Sequence, residues 1–235
     1  RQDWETEVLK VLNRRRPEGK ELTIEQAMKR LTTTTVDEVV IDPLYTKTDE
    51  QPDLGHPGVM PFTRGTSLRT GTIHAWDVTQ LHEDGDVAFS NTAVLDDLQR
   101  GAISLGLRVG PDAIAGADVA AVLAGVMPEL ARLRVSSRTD QAAAAEALAN
   151  VWRASGKSSE VGGSLGLDAI GHAALSGEAP DFGPQRAWVA TALAEFPKAR
   201  AIAVDTLVYD DAGAGDVDVL AFAVATGVEY LRDLE

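Results

Sequence analysis

The chain has 235 residues, and its 36 acidic side chains outnumber 22 basic ones, which gives a formal net charge of −14. This acidity argues against binding to nucleic acid or to an anionic membrane surface, because both partners need a basic face. The absence of cysteine excludes disulfides and thiolate chemistry. No apolar run approaches the roughly 18–20 residues of a membrane span, so the sequence predicts a soluble cytoplasmic protein.

Residues 1–65 predict an N-terminal arm rather than a compact domain. A helical pattern covers the first dozen residues and ends at a basic triplet followed by proline and glycine. A second helix is expected from Thr23, which has Gln26 three residues later, as in a capping box. The Pro- and Gly-rich residues 51–65 predict an extended loop.

From about residue 100 the chain alternates between strand-like and helix-like segments. A period-two apolar pattern over residues 103–109 predicts a strand, and residues 114–131 have helical spacing. Further strands are expected at 133–136, 161–167 and 201–204, and further helices after Asp140, from Pro184 and over 216–231. Such units predict parallel strands joined by helical crossovers, a pattern that both a doubly wound sheet and a (βα)8 barrel satisfy.

Only four clear strand–helix units follow residue 100, whereas a barrel needs eight. An unclosed barrel would leave unpaired strand edges and an exposed interior. We therefore expect either that the functional protein is longer or that another chain completes the barrel.

One candidate catalytic motif lies in a predicted strand. The segment Gly162-Gly163-Ser164-Leu165-Gly166 matches the G-x-S-x-G pattern of serine hydrolases, and Asp168 and His172 follow in serine-acid-base order. All three side chains fall within nine residues of sequence, whereas a working triad takes its base from a distant loop. The pattern favours tight packing of a glycine-rich strand.

Two other motifs also favour structural roles. Gly213-Ala214-Gly215 lies between a strand and a helix, where phosphate-binding loops occur, but four neighbouring aspartates would repel a phosphate. The four histidines have no metal-ligand spacing, so we predict no metal site. The residues by themselves indicate a parallel α/β protein and name no reaction.

Two segments resemble a known family, the adenosylcobalamin-dependent acyl-CoA mutases. Pro43-Leu44-Tyr45-Thr46 with Asp49, followed by residues 57–65 (PGVMPFTRG), is similar to the family's opening segment. Residues 211–214 (DAGA) and 225–232 (ATGVEYLR) resemble motifs near the end of the family's barrel. The resemblance implies a (βα)8 TIM-type barrel, of which residues 66–235 would form the N-terminal half or so, preceded by the arm 1–65 as a subunit contact.

The chain departs from the family at positions where the family has polar side chains around the reacting substrate, here called the reaction chamber. By the resemblance, the tyrosine beside the reacting carbons falls on Leu81, the substrate-facing glutamine on Gly166 and the histidine near the thioester oxygen on Val208. Two family arginines fall on His74 and Thr79. The chain therefore keeps the family's opening and closing motifs but lacks the polar side chains of its reaction chamber.

This pattern resembles the non-catalytic small subunit of heterodimeric methylmalonyl-CoA mutases, isomerases that interconvert succinyl-CoA and methylmalonyl-CoA in propionate metabolism. The resemblance implies no catalytic, cofactor-binding or metal-binding residue in this chain, and adenosylcobalamin in a catalytic large subunit. The alternative is an acyl-CoA-binding protein or mutase homologue of altered specificity. It would use Arg186, which keeps the position of the family's arginine for the substrate carboxylate.

Overall fold

The computed structural model describes residues 1–47, 49, 53–65 and 77–235, and the chain divides into two compact units. The first comprises Arg1–Thr70 with Gly215–Val217, and the second comprises Gly71–Ala214 with Asp218–Glu235. Across the described ranges, no helix is both long and apolar enough to cross a membrane.

The first unit contains two helices and a short antiparallel ladder. Its elements are α1 (Gln2–Asn13), α2 (Ile24–Leu31), β1 (Thr33–Thr34) and β2 (Val40–Ile41). The predicted capping box is confirmed, because the Gln26 N–H donates to Thr23 Oγ1 at 3.3 Å and the Thr23 N–H donates to Gln26 Oε1 at 3.1 Å. These paired bonds satisfy two backbone donors at the start of α2.

The second unit is a five-stranded parallel sheet flanked by helices, so the predicted parallel α/β class is confirmed. Its strands are β3 (Thr79–His82), β4 (Ser104–Arg108), β5 (Arg132–Ser136), β6 (Gly163–Leu167) and β7 (Ala199–Ile202). The helices are α3 (Val87–Gln99), α4 (Val119–Val122), α5 (Gln141–Ala154), α6 (Ala169–Ser176), α7 (Gly183–Glu195), α8 (Leu207–Asp211) and α9 (Asp216–Asp233). The strands lie side by side in chain order, so the sheet has no reversal point.

One face of this sheet forms the hydrophobic core. Its strands bury the alternate residues, which include Leu105, Leu107, Leu133, Val135 and Leu165. Helices α5 and α7 cover this face. Where they meet, the ring centroids of Trp152 and Phe196 are 5.1 Å apart. Because side chains alternate along a strand, the remaining residues of each strand occupy the opposite face.

The helix predicted over residues 114–131 is wrong. The segment holds a 3-10 turn, Gly116–Asp118, the four-residue helix α4 and further turns. Gly125 has φ +87°, a left-handed conformation that ends a helix, and Pro128 follows closely. Ile114, Val122 and Leu123 still enter the core, whereas Leu130 is 70% exposed, so the periodicity reports partial burial rather than one long helix.

Candidate functional site

The sheet face opposite the core lines an open cleft of about 1070 Å³. Strand register places one row of residues across its floor, in the order Leu81, Gly106, Arg134, Ser164, Arg200. The residues that directly follow β6 and β7, together with α8, form the wall of the cleft at the carboxyl ends of the strands. In parallel α/β proteins this is the end where ligands bind.

The three chamber positions singled out in the sequence all line this cleft. Leu81 lies on β3, Gly166 on β6 and Val208 on α8. The structure thus brings together positions separated by more than 120 residues of sequence. Thr79 lies on β3 beside Ser104 but does not line the cleft, and His74 lies outside the described residues.

Gly166 cannot carry a side chain in this backbone. Its φ is +72°, and a Cβ atom there would stand 2.0 Å from the carbonyl oxygen of Val135 on the neighbouring strand. The register between β6 and β7 shifts between Ser164 and Leu167, which is the local irregularity that produces this conformation. Glycine at this position is therefore a requirement of the β6 backbone, and a glutamine would need a different path of the strand.

The cleft floor is basic although the chain is acidic. Strands β3–β7 contain four arginines and not a single Asp or Glu. Two of the four have ionic partners at the cleft edge: Arg108 Nη1 lies 2.9 Å from Glu83 Oε2, and Arg132 Nη1 lies 3.3 Å from Asp77 Oδ2.

The other two floor arginines, Arg134 and Arg200, are exposed, and their guanidinium groups make no hydrogen bond or ion pair within the described ranges. Arg134 folds over Gly106, and its Nε lies 3.0 Å from where a Gly106 Cβ would stand. Leu81 Cδ1 lies 3.4 Å from the same point. An arginine and a leucine therefore meet where the mutase resemblance would place a tyrosine.

Asp168 occupies the carboxyl end of β6 and is only 3% exposed. Its Oδ1 accepts the Gly171 N–H at 2.9 Å, and its Oδ2 accepts the Asp205 N–H at 2.7 Å. The buried Tyr230 hydroxyl of α9 donates to Oδ1 and accepts the Ile170 N–H at 2.9 Å. This buried, fully partnered carboxylate joins β6, α6, the β7–α8 loop and α9.

Burial, with the adjacent Asp168 carboxylate, raises the pKa of the Tyr230 hydroxyl well above its ordinary value. The hydroxyl therefore stays protonated and acts as a hydrogen-bond donor. Tyr230 belongs to the family-like segment 225–232, and the structure gives both Asp168 and Tyr230 a positioning role.

The candidate hydrolase triad does not assemble. Ser164 Oγ accepts the Gly166 N–H at 3.2 Å, while Asp168 is engaged by Tyr230 and backbone donors. Among the described residues, no hydrogen bond joins the His172 imidazole to the side chain of Ser164 or Asp168. The glycine-rich segment serves strand packing, as the sequence favoured.

Arg186 lies outside the cleft, near the start of α7. Its Nε donates to both carboxylate oxygens of Asp233, at 3.1 and 3.0 Å, and its side chain is 56% exposed. This ion pair raises the pKa of the Arg186 guanidinium, which is charged at any physiological pH. Its use as a substrate anchor stays a prediction.

Sequence reasoning missed the unpaired arginines and the Asp168–Tyr230 pair. The arginines had a visible signal, because Arg132-Leu133-Arg134-Val135 alternates basic and apolar residues with the period of a strand. The buried pair had no local signal, since its members lie 62 residues apart.

Comparison with known proteins agrees with the family resemblance. Residues 34–127 match the methylmalonyl-CoA mutase family. The methylmalonyl-CoA mutase small subunit of Propionibacterium freudenreichii subsp. shermanii is 50% identical over 99% of this chain and 37% of its own length. That of Streptomyces virginiae is 38% identical over 93% of this chain and 36% of its own length.

A probable methylmalonyl-CoA mutase small subunit of Mycobacterium bovis is 33% identical over 87% of this chain and 34% of its own length. The chain thus spans between 34 and 37% of the length of these curated relatives. It belongs to the methylmalonyl-CoA mutase family.

Proposed function

We propose that the chain is part of the non-catalytic small subunit of a heterodimeric methylmalonyl-CoA mutase, and that it supports a catalytic large subunit. The observation that carries this proposal is the 50% identity to a small subunit over 99% of the chain. On this proposal the heterodimer is an isomerase that interconverts succinyl-CoA and methylmalonyl-CoA, and this chain contributes structure rather than chemistry.

The proposal includes a (βα)8 barrel of which residues 66–235 form one part. Sequential strand order without a reversal supports a barrel over a doubly wound sheet, whose strand order reverses at a switch point. The glycine-containing, polar open face also supports it, since barrel strands direct alternate residues into the interior. The remaining strands would come from the segment that the relatives have and this chain does not cover.

The residues at the three chamber positions support the proposal that this chain has no catalytic activity of its own. Leu81 and Val208 offer no hydrogen bond to an acyl group, and the backbone at Gly166 leaves no room for a side chain. Rearrangement of an acyl group requires it to be held within a few tenths of an ångström of the productive geometry. The cleft provides no such set of donors at these positions.

The mutase family depends on adenosylcobalamin. The described residues of the cleft do not fit this group, because none of them is a histidine that could ligate cobalt. His82 packs against α3 instead, and its Nε2 lies 3.3 Å from Asp97 Oδ2. We therefore assign the cofactor to the partner subunit.

We also propose that residues 1–65 contact the large subunit. Helix α1 buries none of its residues, and this part of the chain exposes many large apolar side chains. They include Val11, Val36, Val39, Val40, Tyr45, Leu54, Val59 and Met60. Such a concentration of exposed apolar side chains is typical of a protein-binding surface.

Size-exclusion chromatography of the full-length protein mixed with the family's catalytic large subunit tests the proposal. The expected result is a complex of one copy of each chain that carries mutase activity. Separate elution of the two proteins at micromolar concentration would contradict it.

A further inference from the structure

The basic floor of the cleft has the features of an anion site. Arginines lie on three of its five strands, β4, β5 and β7, and none of the five strands contains an acidic residue, in a chain whose net charge is −14. Like charges this close repel one another unless a counter-charge is present. Arg108 and Arg132 have such a partner, in Glu83 and Asp77.

Arg134 and Arg200 make no ion pair with any of the described residues, although carboxylates also line the walls of the cleft. Both lie in register with Ser164, one on each side, so their Cα atoms are two strand spacings apart, roughly 9–10 Å. Two guanidinium groups on flexible stems at this separation can approach a single oxyanion from opposite sides. Each offers a planar pair of donors that matches carboxylate or phosphate oxygens.

Ser164 supplies a third donor between the two arginines. Its Oγ accepts the Gly166 N–H at 3.2 Å, and its hydroxyl hydrogen has no acceptor within the described ranges. Gly106, next to Arg134 in the same row, leaves room for the Arg134 side chain, whose Nε lies 3.0 Å from where a Gly106 Cβ would stand. The row therefore combines two unpaired cations, a hydroxyl donor and open space.

We propose that the cleft binds a compact oxyanion with at least two negative charges, held by Arg134, Arg200 and the hydroxyl of Ser164. Two guanidinium groups favour a dianion over a monoanion because each can neutralise one charge. The site adjoins two of the chamber positions, because Ser164 accepts the Gly166 N–H and Arg134 lies close to Leu81, but its occupation needs no acyl-CoA.

Isothermal calorimetry of the full-length protein with inorganic pyrophosphate and with inorganic phosphate tests this site. Saturable binding that weakens as KCl rises is expected for either multiply charged anion, and acetate should not saturate. R134Q and R200Q should each weaken binding about 10-fold or more, because each removes charge-assisted hydrogen bonds. R134K, which keeps the charge, should retain more affinity than R134Q.

R100Q is the matched control, because Arg100 is an exposed arginine at the end of α3 that is paired with Asp96. Its binding should equal that of the unchanged protein within about twofold, given that charge alone is screened over a Debye length. Absence of saturable binding in the unchanged protein would overturn the proposal. So would binding that persists in the R134Q/R200Q double variant.

Discussion

The Tyr230 hydroxyl donates a hydrogen bond to the buried carboxylate of Asp168. This contact ties the last helix of the chain to the end of β6, where Asp168 also receives two backbone N–H groups. Tyr230 belongs to the family-like segment 225–232, whereas the chain lacks the family's polar side chains at Leu81, Gly166 and Val208. Preserved family motifs in this chain therefore maintain the architecture at the carboxyl ends of the strands.

Removing the Tyr230 hydroxyl should destabilise the second unit. Y230F leaves an Asp168 oxygen and the Ile170 N–H without their buried partner, which typically costs about 1–3 kcal/mol. Urea unfolding measures the loss. The control is Y209F, because the Tyr209 ring stacks on Phe222 and its hydroxyl makes no hydrogen bond within the described ranges. Equal stability of the two variants would contradict the role of the buried pair.

A side chain at Gly166 should lower the free energy of unfolding far more than a side chain at a glycine with a similar φ. G156A is the matched control, because Gly156 has φ +69° but no atom within 4 Å of its added Cβ. We expect about 1 kcal/mol of destabilisation for G156A, from backbone strain alone. G166A adds a clash with the Val135 carbonyl and should cost at least ~2 kcal/mol more, measured by urea unfolding.

The same backbone limits any attempt to restore the family chamber. G166Q should be at least as destabilising as G166A, so a glutamine cannot be returned by one substitution. A G166Q protein as stable as the unchanged chain would contradict this, because β6 would then have to adopt a backbone path different from the one fixed by its pairing with β5 and β7.

Stability should fall as pH decreases through the range in which His82 titrates. Burial lowers the pKa of His82 below its ordinary value of 6.5, and nearby Asp97 offsets this only in part. The unfolded chain therefore takes up a proton at a higher pH than the folded chain, and His82 favours folding less as pH falls below about 6.5. Urea midpoints at pH 7.5 and pH 5.5 should differ less in H82Q than in the unchanged protein.

The matched control for this pH effect is H56Q, because His56 is exposed in the first unit. Its pH dependence should equal that of the unchanged protein. An H82Q variant with an unaltered difference between the two midpoints would assign the pH dependence to other groups.

Exposed apolar residues of the arm should govern assembly. The triple variant V36D/V40D/M60D places charges on side chains that are 80, 59 and 74% exposed, so it should leave the isolated fold intact. We expect at least 10-fold weaker binding to the large subunit, because an unpaired charge would become buried in the interface. The control is L193D, since Leu193 on α7 is 76% exposed.

Sedimentation velocity at a series of concentrations measures the affinity of each variant. If the triple variant and L193D assemble equally well, the arm is not the main contact. Loss of binding in L193D alone would instead assign the interface to α7.

Local sequence patterns predicted four of the five strands, because burial of one face gives strands a period of two, but they missed β3 (Thr79–His82). Residues 103–109 show this pattern and contain β4 (Ser104–Arg108), whereas the helical spacing of 114–131 misled because Gly125 ends any helix there. Two features of the cleft could not be predicted from local sequence patterns. The Gly166 clash depends on the register with β5, and the Asp168–Tyr230 bond joins distant parts of the chain.

The number of acyl-CoA sites per heterodimer tests the non-catalytic assignment most directly. Calorimetric titration of the purified heterodimer with methylmalonyl-CoA should give one site per pair of chains, and the full-length small subunit alone should give none. R186A should leave this stoichiometry unchanged, since Arg186 is paired with Asp233 outside the cleft. Two sites per heterodimer, with one of them lost in R186A, would contradict the account and establish this chain as an acyl-CoA-binding protein.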